Sequence, residues 1–178
     1  TDLSKGMLDI GRRLNAATGL DAERLPLAQA DGRRLPFRDD TFDVVFTAYG
    51  VIPFVGDSHR VMAEAYRVLT AGGRFVFATT HPFRWALPDD GGEDGLTVRF
   101  SYFDRTPYVE QTRDGETAYV EHHRTMGDRV REIAAAGFRL VDIVEPEWPE
   151  GHDEEWGAWT PLRGRLVPGT AIFIATKP

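Results

Sequence analysis

A histidine set just past a β-strand can accept a proton, and His81 is placed that way. It follows Arg74-Phe75-Val76-Phe77-Ala78-Thr79, a run that reads as a strand. In an open α/β sheet ligands sit outside the carboxyl ends of the strands. With an ordinary imidazole pKa near about 6.5, His81 could take a proton from a hydroxyl or an ammonium. Its plainer role is a loop residue capping the strand end. Pro82, Phe83, Trp85 and Pro88 come next and could build an apolar wall. His122-His123 offers a second imidazole pair, but neighbours on a strand point to opposite faces, so at most one can face the same site. No further ligands gather around them, and no metal is expected. Tyr102, Asp104, Arg105 and Tyr108 form a polar and aromatic cluster that can touch a small molecule. Glu145, Glu147, Glu150, Asp153, Glu154 and Glu155, interleaved with Trp148 and Trp156, read as a solvated acidic loop, or as an attractor for a cation such as Mg²⁺. Arg163 and Arg165 read as surface residues.

These groups need a scaffold, and the periodicities supply one. A helix is expected from Ser4 to Ala17, with Ser4 as its N-cap, Met7, Ile10 and Leu14 on one face, and Gly19 as the stop. Leu25 to Ala30 is a short apolar stretch ending at Asp31-Gly32. Phe42 to Thr47 reads as a strand buried on both faces. A helix capped by Asp57-Ser58 places Val61, Met62, Ala65, Val68 and Leu69 on one side and ends at Gly72-Gly73, before the 74–79 strand. Strand, helix and strand at this spacing make a βαβ unit and a parallel sheet. Residues 81–125 lose helical periodicity. Asp114-Gly115 between Tyr108-Val109-Glu110-Gln111 and Thr117-Ala118-Tyr119-Val120 signals a hairpin. A helix at 127–136, a strand at 138–144 and a last strand at 170–176 complete an α/β domain with a β-rich insert. The expected division is 1–80, 81–125 and 126–178 within a single domain.

Composition narrows the function. The 178 residues are 42% apolar, which suits one folded core. No cysteine is present, which excludes a thiol nucleophile, a thiolate metal site and disulfides. The net charge of −7 argues against a nucleic-acid or anionic-membrane partner. No apolar run approaches the ~20 residues of a membrane span, and the first residues lack a signal pattern, so a cytoplasmic location is expected.

Several stretches in order resemble the class I S-adenosylmethionine-dependent methyltransferases that act on small molecules. They are Asp2-Leu3-Ser4-Lys5-Gly6-Met7-Leu8, Ala30-Asp31, Leu35-Pro36-Phe37, Asp40-Thr41-Phe42-Asp43-Val44-Val45, Glu64 with Arg67-Val68-Leu69, and Gly72-Gly73. The resemblance implies a Rossmann-like sheet ending in an antiparallel hairpin, which residues 138–176 match, and S-adenosyl-L-methionine as cofactor. It implies that Asp2, beside Leu3, accepts the ribose diol and that Asp31 accepts the adenine amine. Gly32 would let backbone approach, and Ala48-Tyr49-Gly50 would touch the methionine end. By residue type alone, Asp2 also suits a helix start and Asp31 a turn. Trp85, Tyr102, Tyr108 and His122 are expected on the acceptor side, with His81 as base. The family's glycine-rich loop is not among these residues. The chain is therefore expected to open at the end of the second strand, to leave a gap in the sheet, to bind cofactor poorly by itself, and to expose an edge that invites a homodimer. A ligand- or partner-binding module without catalysis is the alternative. A nicotinamide-dependent dehydrogenase fits the 35–45 stretch and the terminal hairpin less well.

Overall fold

The computed structural model describes residues 1–20 and 22–178. Helix α1 (Lys5–Ala17) is capped by Ser4, whose hydroxyl accepts the Met7 amide. Strand β1 (Phe42–Ala48) leads through a 3₁₀ turn at Ile52–Phe54 into α2 (Ser58–Val68) and β2 (Leu69–Thr80). The insert holds the hairpin β3 (Tyr108–Gln111) and β4 (Thr117–Glu121). Then come α3 (Met126–Ala135), β5 (Arg139–Val144), the short α4 (Pro161–Gly164) and β6 (Thr170–Thr176).

The main sheet has the order β1-β2-β6-β5. β1 and β2 run parallel, which demands a crossover that α2 supplies. β6 lies antiparallel between β2 and β5. Phe75, Phe77 and Phe173 point to one face, with Phe138 stacked on Phe75 at 5.3 Å and Phe77 on Phe173 at 4.7 Å. Val61, Met62 and Ala65 of α2 and Ile133 of α3 close that face into the core.

The sequence expectations for the strands and helices differ from the structure in three places. Gly72-Gly73 does not end α2: the helix stops at Val68, and both glycines lie inside β2. Gly72 takes φ +78°, and a Cβ on Gly73 would meet the Thr70 carbonyl at 2.8 Å. The pair makes the irregularity that lets β2 resume its register with β1 at Val44. β1 is covered on one face only. Val44 and Phe46 are 54% and 73% exposed, while Val45 packs on the core. Among the described residues β1 pairs with β2 alone. The Met7, Ile10 and Leu14 stripe of α1 is likewise exposed, and Leu8 is the residue this helix buries.

One polar knot joins Leu35-Pro36-Phe37 to Glu64 and Arg67. Arg67 donates to both Glu64 oxygens (2.7 and 2.8 Å), to the Leu35 and Phe37 carbonyls and to Asp39, while Glu64 accepts the Leu35 amide at 2.7 Å. The guanidinium holds Glu64 below the usual carboxylate range. The knot ties the loop that enters β1 to the helix that leaves it.

Candidate active site

The start of the chain lies beside the 28–30 segment in parallel fashion. Asp2 accepts the Ala30 amide through its carbonyl at 3.0 Å and donates its own amide to Ala28. Because Gln29 stands opposite Asp2, Asp31 follows two residues further along the same direction, and the two carboxylates share one end of this ribbon. Asp2 Oδ1 accepts the Ser4 amide at 2.7 Å, so the residue does organise the helix start, while Oδ2 has no partner among the described residues. Asp31 is more committed. The Arg33 fork grips it at 2.8–3.2 Å, the Arg33 amide adds a bond at 2.9 Å, and these donors lower its pKa to about 2. A carboxylate accepts about four hydrogen bonds and Asp31 already receives four, so a further donor must displace part of the Arg33 fork.

Gly32 serves a purpose other than the expected approach of a ligand. A Cβ there would lie 2.8 Å from Val51 Cγ2. That contact brings in the turn after β1, where the backbone is strained. Tyr49 and Val51 both take positive φ, +55° and +51°, on either side of Gly50. For a β-branched valine this is a true outlier, and such strain gathers at ligand sites. Asp2 with Leu3, Asp31-Gly32 and Ala48-Tyr49-Gly50 thus form one continuous rim at the strand ends.

On the acceptor side the hairpin folds over the strand ends, where the His122 amide donates to the Pro53 carbonyl at 2.7 Å. Four rings line up along it: Trp85 to Tyr108 at 5.7 Å, Tyr108 to Tyr119 at 6.2 Å, and Tyr119 to Phe54 at 5.8 Å. Trp85 and Tyr108 were expected here. Phe54 and Tyr119 were missed, although Tyr119 stands diagonally across the hairpin from Tyr108 and the strand alternation carries that signal. Tyr108 bonds Glu110, which raises the phenol to about 12 and keeps it protonated. Tyr102 turns inward, where its hydroxyl accepts the Met126 amide and props α3. His122 borders a cleft of about 510 Å³ with Arg105, Arg124, Asp128, Arg131 and Glu132, whose charges pair with one another.

His81 requires a correction. It is 6% exposed, its Nδ1 accepts the Phe83 amide at 3.1 Å, and its Nε2 lies 2.7 Å from Glu145 Oε1. With Nδ1 accepting, the ring proton is on Nε2 and points at Glu145. No lone pair is left for an acceptor's proton, and His81 instead fastens the 82–86 turn to the end of β5. Glu145 thereby leaves the solvated acidic run. A buried imidazole with an open lone pair is His123. Its Nε2 donates to the Tyr102 carbonyl at 2.7 Å, and its buried Nδ1 has no partner among the described residues. His123 lines a small cavity with Thr79, Trp85, Glu121 and Arg129. No group of three metal-ligating side chains forms among the described residues.

Burial depresses the pKa of His81, His122 and His123. A base depressed in the folded state gives stability that is present above the unfolded value, about 6.5, and is lost as pH falls through the folded one. Burial raises the Glu121 pKa, which opposes this trend. The urea midpoint should fall between pH 7 and 5, and His123→Gln should flatten that slope. An unchanged slope in the variant would mean that His123 titrates as freely as in the unfolded chain.

Residues 1–77 match the model of a methyltransferase domain. The matched segment, under half of the chain, is similar to a methyltransferase domain. The demethylmenaquinone methyltransferase of Streptomyces avermitilis is 40% identical over 86 residues, 48% of this chain and 33% of the relative, so the match spans about a third of that enzyme. Among solved structures, a candidate S-adenosylmethionine-dependent methyltransferase from Listeria monocytogenes superposes with TM-score 0.75 at 20% identity, covering 99% of this chain and 78% of that one. A Mesorhizobium loti S-adenosylmethionine-dependent methyltransferase gives TM-score 0.61 at 21% identity, with 98% and 77% covered. At these identities the chain shares a fold with those structures. No helix among its described residues is long and apolar enough to cross a membrane.

Proposed function

We propose that this domain binds S-adenosyl-L-methionine along the Asp2–Asp31–Tyr49 rim and supports methyl transfer to a small, partly aromatic acceptor held under the hairpin. The observation that carries this reading is the strained Tyr49–Val51 turn seated on Gly32, which joins the β1 end to the two carboxylates. The residues present fit the cofactor: Asp2 keeps a free oxygen for a ribose hydroxyl, Asp31 can accept an exocyclic amine in exchange for part of the Arg33 fork, and the turn offers backbone next to both. The cofactor supplies an activated methyl group on a sulfonium. The protein's part is to orient and to exclude water. Phe54, Tyr119, Tyr108 and Trp85 hold an apolar acceptor, and His81 fixes the wall that bears Trp85. Where the acceptor must lose a proton, His123 Nδ1 receives it. The demethylmenaquinone enzyme's quinone-type acceptor suits such a wall, and the same ring chemistry is the class proposed here.

The test is calorimetric titration of S-adenosylhomocysteine into the protein. Weak but saturable binding that weakens further in Tyr49→Ala is expected. Absence of binding to a folded, monodisperse sample would refute the reading for this chain and favour a module that binds a different ligand.

A further inference from the structure

Arg163 was expected on the surface, yet it is fully buried, at 0% exposure. It sits on α4, outside the rim and next to the Arg84–Trp85 end of the ring wall. Its guanidinium carbon lies 4.8 Å above the Trp159 ring. Nη1 donates to the carbonyls of Pro88 at 3.0 Å and Asp90 at 3.1 Å, both in the insert after β2. Nε and Nη2 are buried and find no acceptor among the described residues.

Those two nitrogens are not an arbitrary pair. They form the side-on edge of the guanidinium, whose N–H bonds run parallel and match two oxygens of one planar group. The carbonyls and the indole therefore fix the plane and leave its bidentate edge unmatched. A buried charged donor without a partner is among the costlier features a fold can keep. Burial and the nearby Arg84 charge depress the pKa of Arg163, so an arriving anion would relieve both.

We propose that the Nε–Nη2 edge of Arg163 is a binding site for a carboxylate group on a small molecule, each oxygen accepting one N–H. A monoanion suits the place better than phosphate, because Asp89 and Asp90 lie close enough to act on Arg163 and would repel a dianion. The site borders the acceptor wall through Arg84, which stacks on Trp85 at 4.8 Å. On the methyl-transfer reading, the carboxylate belongs to the acceptor, and that clause alone rests on the reading. Entry requires the 145–159 loop to lift, since the Trp148 ring lies on Gly164, where an added Cβ would come within 1.9 Å of it.

The experiment follows the Arg163 Nε–H resonance of the ¹⁵N-labelled full chain by NMR, assigned through its loss in Arg163→Lys. Sodium benzoate, sodium acetate, inorganic phosphate and sodium chloride are titrated at constant ionic strength. The expected result is a saturable shift with benzoate and acetate and none with chloride. No shift, an equal shift with chloride, or tighter saturation with phosphate would each overturn the assignment. The wild-type titration decides even if Arg163→Lys fails to fold, because Arg163→Gln also removes the resonance. S-adenosylhomocysteine is titrated into the same samples: benzoate binding without it keeps the carboxylate site and rejects methyl transfer, and the reverse rejects the carboxylate site alone.

Discussion

Asp2→Ala should weaken S-adenosylhomocysteine binding by about 100-fold, the worth of one or two hydrogen bonds to a charged acceptor. The free Oδ2 beside the 28–30 ribbon is what a ribose hydroxyl would use, and an alanine leaves that hydroxyl facing nothing. Asp2→Asn separates this role from the structural one. It keeps an oxygen for the Ser4 amide, so helix α1 and the urea midpoint should hold, yet it loses the charge and part of the acceptor capacity. Calorimetry on the two variants should therefore rank wild type above Asn above Ala, with matched circular dichroism. If Asp2→Ala binds as wild type does, the carboxylate serves the helix start alone and the ribose must be held elsewhere.

Phe77→Ala is the variant expected to cost the most stability, about 3–5 kcal/mol. Phe77 is completely buried between Phe75 at 5.2 Å and Phe173 at 4.7 Å, on neighbouring positions of β2 and β6. Rigid rings and strand backbone surround it, so the space left behind collapses poorly. Domains of this size have ~5–15 kcal/mol in all, so the variant should be close to unfolding at 37 °C. Phe77→Leu refills most of the volume and should lose less than about 1.5 kcal/mol. Urea denaturation of the pair measures both. A loss under about 1 kcal/mol for the alanine variant would mean that the ring stack is not the centre of the core.

Much of the scaffold was legible because it rests on local signals. Asp114-Gly115 marked the hairpin, and Gly115 does take φ +81°. The last strand is expected at Thr170–Thr176, and the structure gives the same bounds. The Ser4 cap and the Gly137 stop follow from single-residue chemistry. What stayed hidden depends on distant partners. Arg163 is polar by type, and only the fold shows that Trp159 and the 88–90 carbonyls enclose it. His81 looked available because its position faces the strand ends, and Glu145, 64 residues away, accepts its Nε2–H. Gly72-Gly73 looked like a helix stop because glycine pairs usually are, whereas here they kink a strand. Phe54 lay in a 3₁₀ turn with no periodicity to mark it. Val44 and Phe46 were judged buried from composition, which cannot tell which face of a strand has a neighbour.

The position of β6 sets the order in which the sheet can be built. It is hydrogen-bonded to β2 and β5 at once, with Arg74 opposite Thr176, so the central pairing joins residues about a hundred positions apart. Among the described residues β5 reaches the sheet through β6 alone. Closing so long a loop is slow and must precede the reward of packing Phe173 on Phe77. The amides shared by β2 and β6 should therefore exchange with deuterium only when the whole domain opens, while the hairpin and α1 exchange early.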